Sequence, residues 1–242
     1  MRARARVVAE CDGRGRTRLT VLRSEAPLVL RDTPDALYLV GGAGGPLGGD
    51  DLSLDIEVGP GARLTMCTAA ASIALPGHGP SQVTVRVCVA AGGELRWLPE
   101  PVVAARGCDH HLRSTILLKG DARLVWREEL VLGRHGEAAG SVLSQASVDH
   151  DGAPLLRHQL ALGPQHPEAA GPAVTGGARA VGSLLLVGAS PDAAVLGPRA
   201  AVLPLALGGA QIVALADDAS ELRRQLDRGF ADARTGARTG AC

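Results

Sequence analysis

An apolar residue alternates with a polar one in two stretches, Leu-Ser-Leu-Asp-Ile-Glu-Val at residues 52–58 and Gln-Val-Thr-Val-Arg-Val-Cys-Val at residues 82–89. A period of two places the apolar side chains on one face of a β-strand and the polar ones on the other. Glycine or proline clusters separate most segments of this kind, which is typical of antiparallel sheets. The sequence therefore predicts an all-β fold of many short antiparallel strands. Weaker strands are expected at residues 17–22, 37–40, 62–67, 94–98, 112–118, 123–132, 141–148, 155–161, 181–188, 200–206 and 210–215.

Three short segments share a glycine turn followed by a strand. They are Gly61-Ala-Arg-Leu-Thr-Met, Gly93-Glu-Leu-Arg-Trp-Leu and Gly120-Asp-Ala-Arg-Leu-Val-Trp, and their glycines stand 32 and then 27 residues apart. Stacked β-coils or successive hairpins of one large sandwich would both give such spacing, and so would coincidence in a glycine-rich chain.

One helix is predicted near residues 218–230. Asp218 and Glu221 form a capping box, and Leu222, Leu226 and Phe230 follow on one face. Arg223, Arg224 and Arg228 are expected on the other faces. We expect a single domain over residues 1–242, with a long loop at 163–177 and a flexible tail at 233–242.

Composition excludes several classes of protein. Lys+Arg and Asp+Glu both number 25, so the chain lacks the basic surface of a nucleic-acid binder. Five scattered cysteines show neither zinc nor disulfide spacing. There is no apolar run of about 18 residues for a membrane span, and no apolar stretch follows the basic residues 1–6 as in a secretory signal. We expect a soluble, cytoplasmic protein with reduced thiols that binds neither nucleic acid nor membrane.

The glycine-rich segment 41–50 ends in Gly48, Gly49 and Asp50. A phosphate-binding loop would need Lys and then Ser or Thr where Asp50-Asp51 stand, and a dinucleotide fingerprint would need a helix where a strand pattern follows. The segment is either a tight connection between two strands or a close backbone approach that holds Asp50 at the mouth of a cavity.

Two other groups of residues could carry chemistry. Glu128 and Glu129 point to opposite faces of a strand, so one of them needs a partner, which Arg127, Arg134 or a cation could supply. A salt-bridged strand end is the simpler interpretation. The adjacent His110 and His111 suggest a metal cluster, but neighbouring strand residues face opposite ways, which favours exposed loop side chains.

Three blocks in order resemble the UreD (UreH) family of urease accessory proteins. The first combines Gly48, Gly49 and Asp50 with Gly61, Leu64 and Thr65 beyond the next strand; the second holds Trp97, Leu98, Pro99 and Pro101; the third holds Glu128, Gly133, Arg134 and Glu137. Residues 66–76 depart from the family pattern because they lack its Thr-Gln and its Lys-aromatic pair. They read Met-Cys-Thr-Ala-Ala-Ala-Ser-Ile-Ala-Leu-Pro.

The resemblance implies a β-rich, layered chaperone that is not an enzyme. Such a protein binds apo-urease and acts with UreF, and through UreF with the GTPase UreG, to insert nickel. It would hold no tight cofactor and would pass Ni²⁺ transiently through an internal passage. Spaced carboxylates suit weak transit, which makes Asp50, Glu128 and Glu137 the candidate passage residues. Two alternatives stay open: a small hydrolase or lyase using Asp50, Glu128 and the His110-His111 pair, or a β-sandwich module that binds a small ligand.

Overall fold

The computed structural model describes residues 1–236 of the chain; the last six residues lie outside the described part. Eighteen strands and one α-helix follow one another in these residues. They are β1 (Arg2–Cys11), β2 (Thr17–Arg23), β3 (Leu28–Asp32), β4 (Leu37–Gly41), β5 (Asp51–Val58), β6 (Arg63–Thr68), β7 (Ser72–Ala74), β8 (Ser81–Val89), β9 (Glu94–Leu98), β10 (Val102–Ala104), β11 (Asp109–Leu118), β12 (Arg123–Leu132), β13 (Ser141–His150), β14 (Ala153–Leu162), β15 (Ala180–Val187), β16 (Ala194–Gly197), β17 (Ala200–Pro204), β18 (Ala210–Ala216) and α1 (Ala219–Gly236).

The strands form two layers around an aliphatic core. Sheet A has the order β14-β13-β11-β8-β5-β1-β2, and sheet B has the order β16-β17-β18-β15-β12-β9-β6-β4-β3, with β7 and β10 attached beside β12. The mainly β prediction is confirmed.

The strand pairing in the centre of both sheets differs from the prediction. From β5 to β13 the chain crosses repeatedly between sheet A and sheet B, so β5, β8, β11 and β13 lie parallel in one layer. In the other layer β6, β9 and β12 are also parallel. The expectation of antiparallel pairing is wrong here because the glycine turns carry the chain to the opposite sheet instead of reversing it within one. Antiparallel pairs such as β1–β2 and β13–β14 occur towards the edges.

The three repeated segments are successive turns of this coil. Leu64, Leu95 and Leu124 stand side by side across sheet B, and so do Met66, Trp97 and Trp126. The two indole rings stack, with centroids 5.5 Å apart. Of the three explanations for the repeat, stacked β-coils are therefore the one that the structure shows.

Strand β1 was not expected from the sequence. Its inward positions Ala3, Ala5, Val7 and Ala9 are buried, but alternation of Arg with Ala gives a weak apolar signal. The strand pairs in parallel with β5 and thereby extends sheet A.

The helix α1 packs on the outer face of sheet B against β15, β17 and β18. The backbone N–H of Glu221 donates to Asp218 Oδ1 at 2.8 Å, so the predicted cap is present, and Leu222 and Leu226 are fully buried. The helix continues beyond residue 230 to Gly236, so residues 233–236 of the expected tail are helical. The predicted loop 163–177 lies within the connection from β14 to β15, residues 163–179, and contains one 3₁₀ turn, Pro167–Ala170. No helix within residues 1–236 is long and apolar enough to cross a membrane.

Candidate functional site

A cavity of about 560 Å³ lies between the two sheets. We call it the inner cavity. Its walls come from β5, β8 and β11 of sheet A, from β12 of sheet B, and from the glycine-rich segment together with residues 68–75. Most of the lining is aliphatic or indole surface. The polar and charged side chains in it are Asp50, Ser53, Thr68, Ser72, Glu100, His110, Arg113, Ser114, Arg127, Glu128, Glu129 and Arg134.

Asp50 lines this cavity directly before β5 and is 7% exposed. Its Oδ1 accepts a hydrogen bond from the Met1 ammonium group at 2.7 Å, and its Oδ2 accepts one from the Leu47 backbone N–H at 2.9 Å. Burial alone would raise the pKa of Asp50, but these two donors outweigh it, and the pKa lies below its usual value. Asp50 is therefore a charged carboxylate in an otherwise apolar wall.

A close backbone crossing holds Asp50 in place. A Cβ atom at Gly48 would lie 2.6 Å from the backbone N of Gly77 and 2.6 Å from the backbone O of Gly79, so no side chain fits there. Gly49 has a φ of +91°, a conformation that residues with a side chain rarely adopt. The sharper interpretation of the glycine-rich segment, close approach with Asp50 held at a cavity, matches this geometry.

Glu128 reaches from β12 across the interior to sheet A. Its Oε1 accepts hydrogen bonds from Trp126 Nε1 at 2.9 Å and from Ser114 Oγ at 3.3 Å. Its Oε2 accepts a hydrogen bond from Ser144 Oγ at 3.1 Å. Three donors from three strands therefore fix this carboxylate between the layers.

A second cavity, of about 680 Å³, lies next to Glu128. We call it the side cavity. It is lined by β13 and β14, residues 172–176 and strands β15 to β18, and it shares only Glu128 and Leu130 with the inner cavity. Ser114 lines the inner cavity and Ser144 the side cavity, so the two carboxylate oxygens of Glu128 hydrogen-bond towards different cavities.

Sheet B is interrupted beside Glu128. Strand β12 pairs with β9 at residues 123–126 and with β10 at residues 130–132, which leaves the residues between them without a ladder partner on that side. Pro99 and Pro101 cannot donate backbone hydrogen bonds there. The Arg127 guanidinium instead donates from Nη2 to the carbonyl oxygens of Leu98 at 3.2 Å and Pro99 at 3.0 Å.

Glu129 faces α1 and its side chain is 0% exposed. Arg223 of α1 binds it through two hydrogen bonds, Nε to Oε1 at 2.6 Å and Nη2 to Oε2 at 2.5 Å, and also contacts Glu100 at 3.2 Å. The hydrogen bond to Glu129 raises the pKa of Arg223, whereas burial lowers that of Arg127. The sequence places Arg223 away from the apolar face of the helix but does not reveal this pair, because the two residues are 94 positions apart.

Glu137 lines neither cavity. It accepts two hydrogen bonds from the Arg134 guanidinium, both 2.8 Å long, and these lower its pKa to about 2. The candidate passage residues thus divide into two that line the inner cavity, Asp50 and Glu128, and one that does not.

The paired histidines also divide. His110 is 1% exposed and lines the inner cavity, where Ser81 Oγ lies 2.8 Å from its Nδ1. His111 points the other way and its Nε2 lies 3.2 Å from Asp109. The expectation of exposed loop side chains is therefore wrong for His110, because β11 already begins at Asp109. Within the described residues, His, Cys, Asp and Glu side chains form no group of three or more that could hold a metal ion.

Acidification should destabilise the protein through His110. Burial first, and then the neighbouring His111, lower its pKa from 6.5 to about 4 in the folded state. The unfolded chain therefore binds more protons between these values, and stability is unaffected above about pH 6.5 but falls by up to about 3 kcal/mol as the pH approaches 4. Urea unfolding at pH 7, 5.5 and 4.5 should show a steeper loss for the wild type than for His110→Asn. Equal pH profiles would contradict the assignment.

Comparison with known proteins identifies the family. The family model described as UreD urease accessory protein matches residues 1–240. The chain belongs to the UreD family. A urease accessory protein UreD of Parafrankia sp. strain EAN1pec is 46% identical, with 94% of this chain and 87% of the relative covered. The UreD of Frankia alni is 47% identical over 93% of this chain and 91% of its own length, and UreD 3 of Streptomyces griseus is 46% identical over 94% and 95%.

Part of each UreD block recognised in the sequence lines the inner cavity. Asp50 comes from the first block, Trp97 and Pro99 from the second, and Glu128 and Arg134 from the third. The segment that departs from the UreD pattern, residues 66–76, contributes Thr68 to Ile73 and Leu75 to the same wall. UreD proteins are accessory proteins and not enzymes, as the sequence predicts.

Proposed function

We propose that this chain is a non-catalytic chaperone that binds apo-urease in the cytoplasm and, together with UreF and the GTPase UreG, enables nickel insertion. Membership of the UreD family supports a role in urease maturation. The observation that supports a role in nickel insertion is the position of Glu128, a fixed carboxylate that lines both cavities.

Nickel is the cargo in this proposal and is not a resident cofactor. A carboxylate that faces two cavities offers one oxygen ligand to a cation on either side. Such a contact is weak compared with a closed site of three or four ligands, which would trap nickel because of its high intrinsic affinity. Asp50 supplies a second charged contact in the wall of the inner cavity. The passage would therefore run from the wall that contains Asp50, past Glu128, into the side cavity.

Exposed apolar residues at the edge of sheet B support the proposal that a protein partner binds there. Val195 is 86% exposed, Leu207 59% and Leu203 46%. Apolar side chains on an edge strand favour association with another chain. Val195 also lines the side cavity, so a partner bound at this edge would lie beside that end of the passage.

Activation of urease in a co-expression system tests the role as a whole. The urease subunits, UreF and UreG are produced with or without this chain, and urease is purified and assayed. We expect a complex that contains this chain and urease, and loss of urease activity when the chain is omitted. Urease that activates equally well without it would overturn the proposed function.

Glu128→Gln tests the passage within that system. The substitution keeps the size of the side chain but removes its charge, so nickel per urease and urease activity should both fall several-fold while the complex still forms. Glu57→Gln is the matched control, because Glu57 is half exposed and pairs with Arg6 at 2.8 Å on the outside of sheet A. Normal nickel content with Glu128→Gln would exclude Glu128 from the passage.

A further inference from the structure

Sheet B extends beyond the end of sheet A. Glu128 of β12 hydrogen-bonds to Ser114 of β11 and Ser144 of β13, so β12 lies opposite these two strands. Val181 of the next strand, β15, belongs to the same apolar cluster as Leu160 of β14. Within residues 1–236 sheet A ends at β14, whereas sheet B continues with β18, β17 and β16. These three strands overhang sheet A by about 14 Å, since neighbouring strands are about 4.8 Å apart. We call them the overhang.

The two faces of the overhang are covered unequally. On the outer face, Val202 and Ile212 are buried in the apolar cluster that α1 covers. Alternate residues of a strand point to opposite faces, so Leu203 points inward, and Val195 lines the side cavity. Val195 is 86% exposed and Leu203 46%. Residues 172–176 reach only the wall of the side cavity, so an apolar part of the inner face remains open.

Strand β14 presents a free backbone edge beneath the overhang. It pairs with β13, and within the described part of the chain its backbone forms no backbone hydrogen bond outside that pair. In an antiparallel strand roughly every second residue points its N–H and C=O groups away from the neighbour. Edge strands are usually short or interrupted by proline, but β14 has ten residues and its one proline is the second, Pro154. His158 and Leu160 place this strand on the wall of the side cavity.

We propose that a protein partner adds an extended segment to sheet A beside β14, beneath the overhang. Strand addition of this kind takes its affinity from main-chain hydrogen bonds and its specificity from alternate side chains. The side chains that face sheet B are apolar, because they cover Val195 and Leu203. Those on the opposite face are polar, because they lie beside Arg157 and Gln159, which hydrogen-bond to side chains of β13 on the open face of sheet A. That the partner belongs to the urease maturation complex rests on the proposed function.

A second copy of this chain does not fit at the same edge. Two copies that pair antiparallel through β14 are related by a twofold axis perpendicular to sheet A. Such an axis leaves both copies of sheet B on the same side of the joined sheet, where the two overhangs would occupy the same space. A single added strand needs only about 4.8 Å of the width beneath the overhang. The free edge therefore suits a segment of a partner and not a second domain of this size.

Hydrogen exchange of the backbone amides tests the proposal. Exchange is measured by mass spectrometry for the isolated full-length chain and for the complex purified from co-expression with the urease subunits, UreF and UreG. Amides of β14 should exchange more slowly in the complex by about tenfold or more, because the added strand protects them. Those of β2, the opposite edge of sheet A, should not change. Unchanged exchange of β14 in the complex would overturn the proposal. Protection of β14 that rises with the concentration of the isolated chain would also overturn it, because a second copy would then occupy the edge.

Two substitutions on the overhang test the side-chain contacts. Val195→Asp combined with Leu203→Asp places charges on the exposed inner face and should weaken the complex by about tenfold or more. Leu117→Asp is the matched control, because Leu117 is 43% exposed on the open face of sheet A and should change the affinity by less than about twofold. Circular dichroism verifies that all variants are folded. Wild-type affinity of the Val195→Asp and Leu203→Asp variant would overturn the proposal.

The two proposals can be told apart by these outcomes. A complex that forms and activates urease while β14 exchanges as in the isolated chain would overturn only strand addition. If no complex forms and urease activates without this chain, the proposed function fails, and strand addition by a component of that complex fails with it.

Discussion

Glu129→Gln is expected to lower the free energy of unfolding by about 3 kcal/mol, because it removes the buried partner of Arg223 and leaves only Glu100, which is partly exposed, to compensate that charge. The side chain of Glu129 is 0% exposed and is bound by both arms of Arg223. Without this carboxylate, Arg223 would keep only Glu100 at 3.2 Å, and Arg127 only the exposed Asp227 at 4.0 Å. Urea unfolding followed by circular dichroism measures the loss.

Two further variants show whether the pair itself is responsible. Glu221→Gln is the matched control on α1, since Glu221 pairs with Arg224 on the exposed side, and its effect should stay within about 0.5 kcal/mol. Glu129→Gln combined with Arg223→Gln should cost less than the sum of the two single variants, because neither charge is then left alone. Additive losses, or a small loss for Glu129→Gln alone, would contradict the importance of this pair.

Gly48→Ala is expected to lower stability by about 3 kcal/mol, since overpacking against a rigid neighbour costs about this amount. The added Cβ would lie 2.6–2.7 Å from backbone atoms of Gly77 and Gly79, which cannot rotate away as a side chain could. The glycine-rich segment would have to move, and the Leu47–Asp50 hydrogen bond with it. For a chain of this size the melting temperature should fall by about 6–12 °C.

Gly44→Ala provides the comparison within the same segment. A Cβ at Gly44 meets no atom within 4 Å, and its φ is not positive, so differential scanning calorimetry should show a melting temperature close to that of the wild type. Equal melting temperatures for Gly48→Ala and Gly44→Ala would show that the crossing with Gly77 is looser than the structure indicates.

The sequence predicted the strands better than it predicted their neighbours. Alternation at residues 52–58 and 82–89 reports burial on one face, and this is the same whether a strand pairs in parallel or antiparallel. The glycine turns likewise look alike whether they reverse the chain or send it to the other sheet. Strand β1 was missed because alanine at its inward positions contrasts little with its surroundings, even though Ala5 and Ala9 are almost fully buried.

Individual residues of the site could be predicted from the sequence, but their hydrogen-bond and ion-pair partners could not. Asp50 and Glu128 were found because motifs surround them, and both line the inner cavity. The partners Ser114, Ser144 and Arg223 come from distant segments and carry no local signal. His110 was expected to be an exposed loop residue because two adjacent histidines on a strand face opposite ways and cannot close around one ion. Only the strand register shows that His110 is the one that faces inward.

The coil between β5 and β13 makes the enclosed space modular. Each turn adds one strand to sheet A and one to sheet B, and each contacts mainly the turn before it and the turn after it, as in a solenoid. Inserting or deleting a whole turn of roughly 30 residues would lengthen or shorten the space between the sheets while preserving the construction of its walls. The length of the enclosed space is therefore set by the number of turns, and its chemistry by the polar residues that each turn exposes to the interior. These two properties can evolve independently.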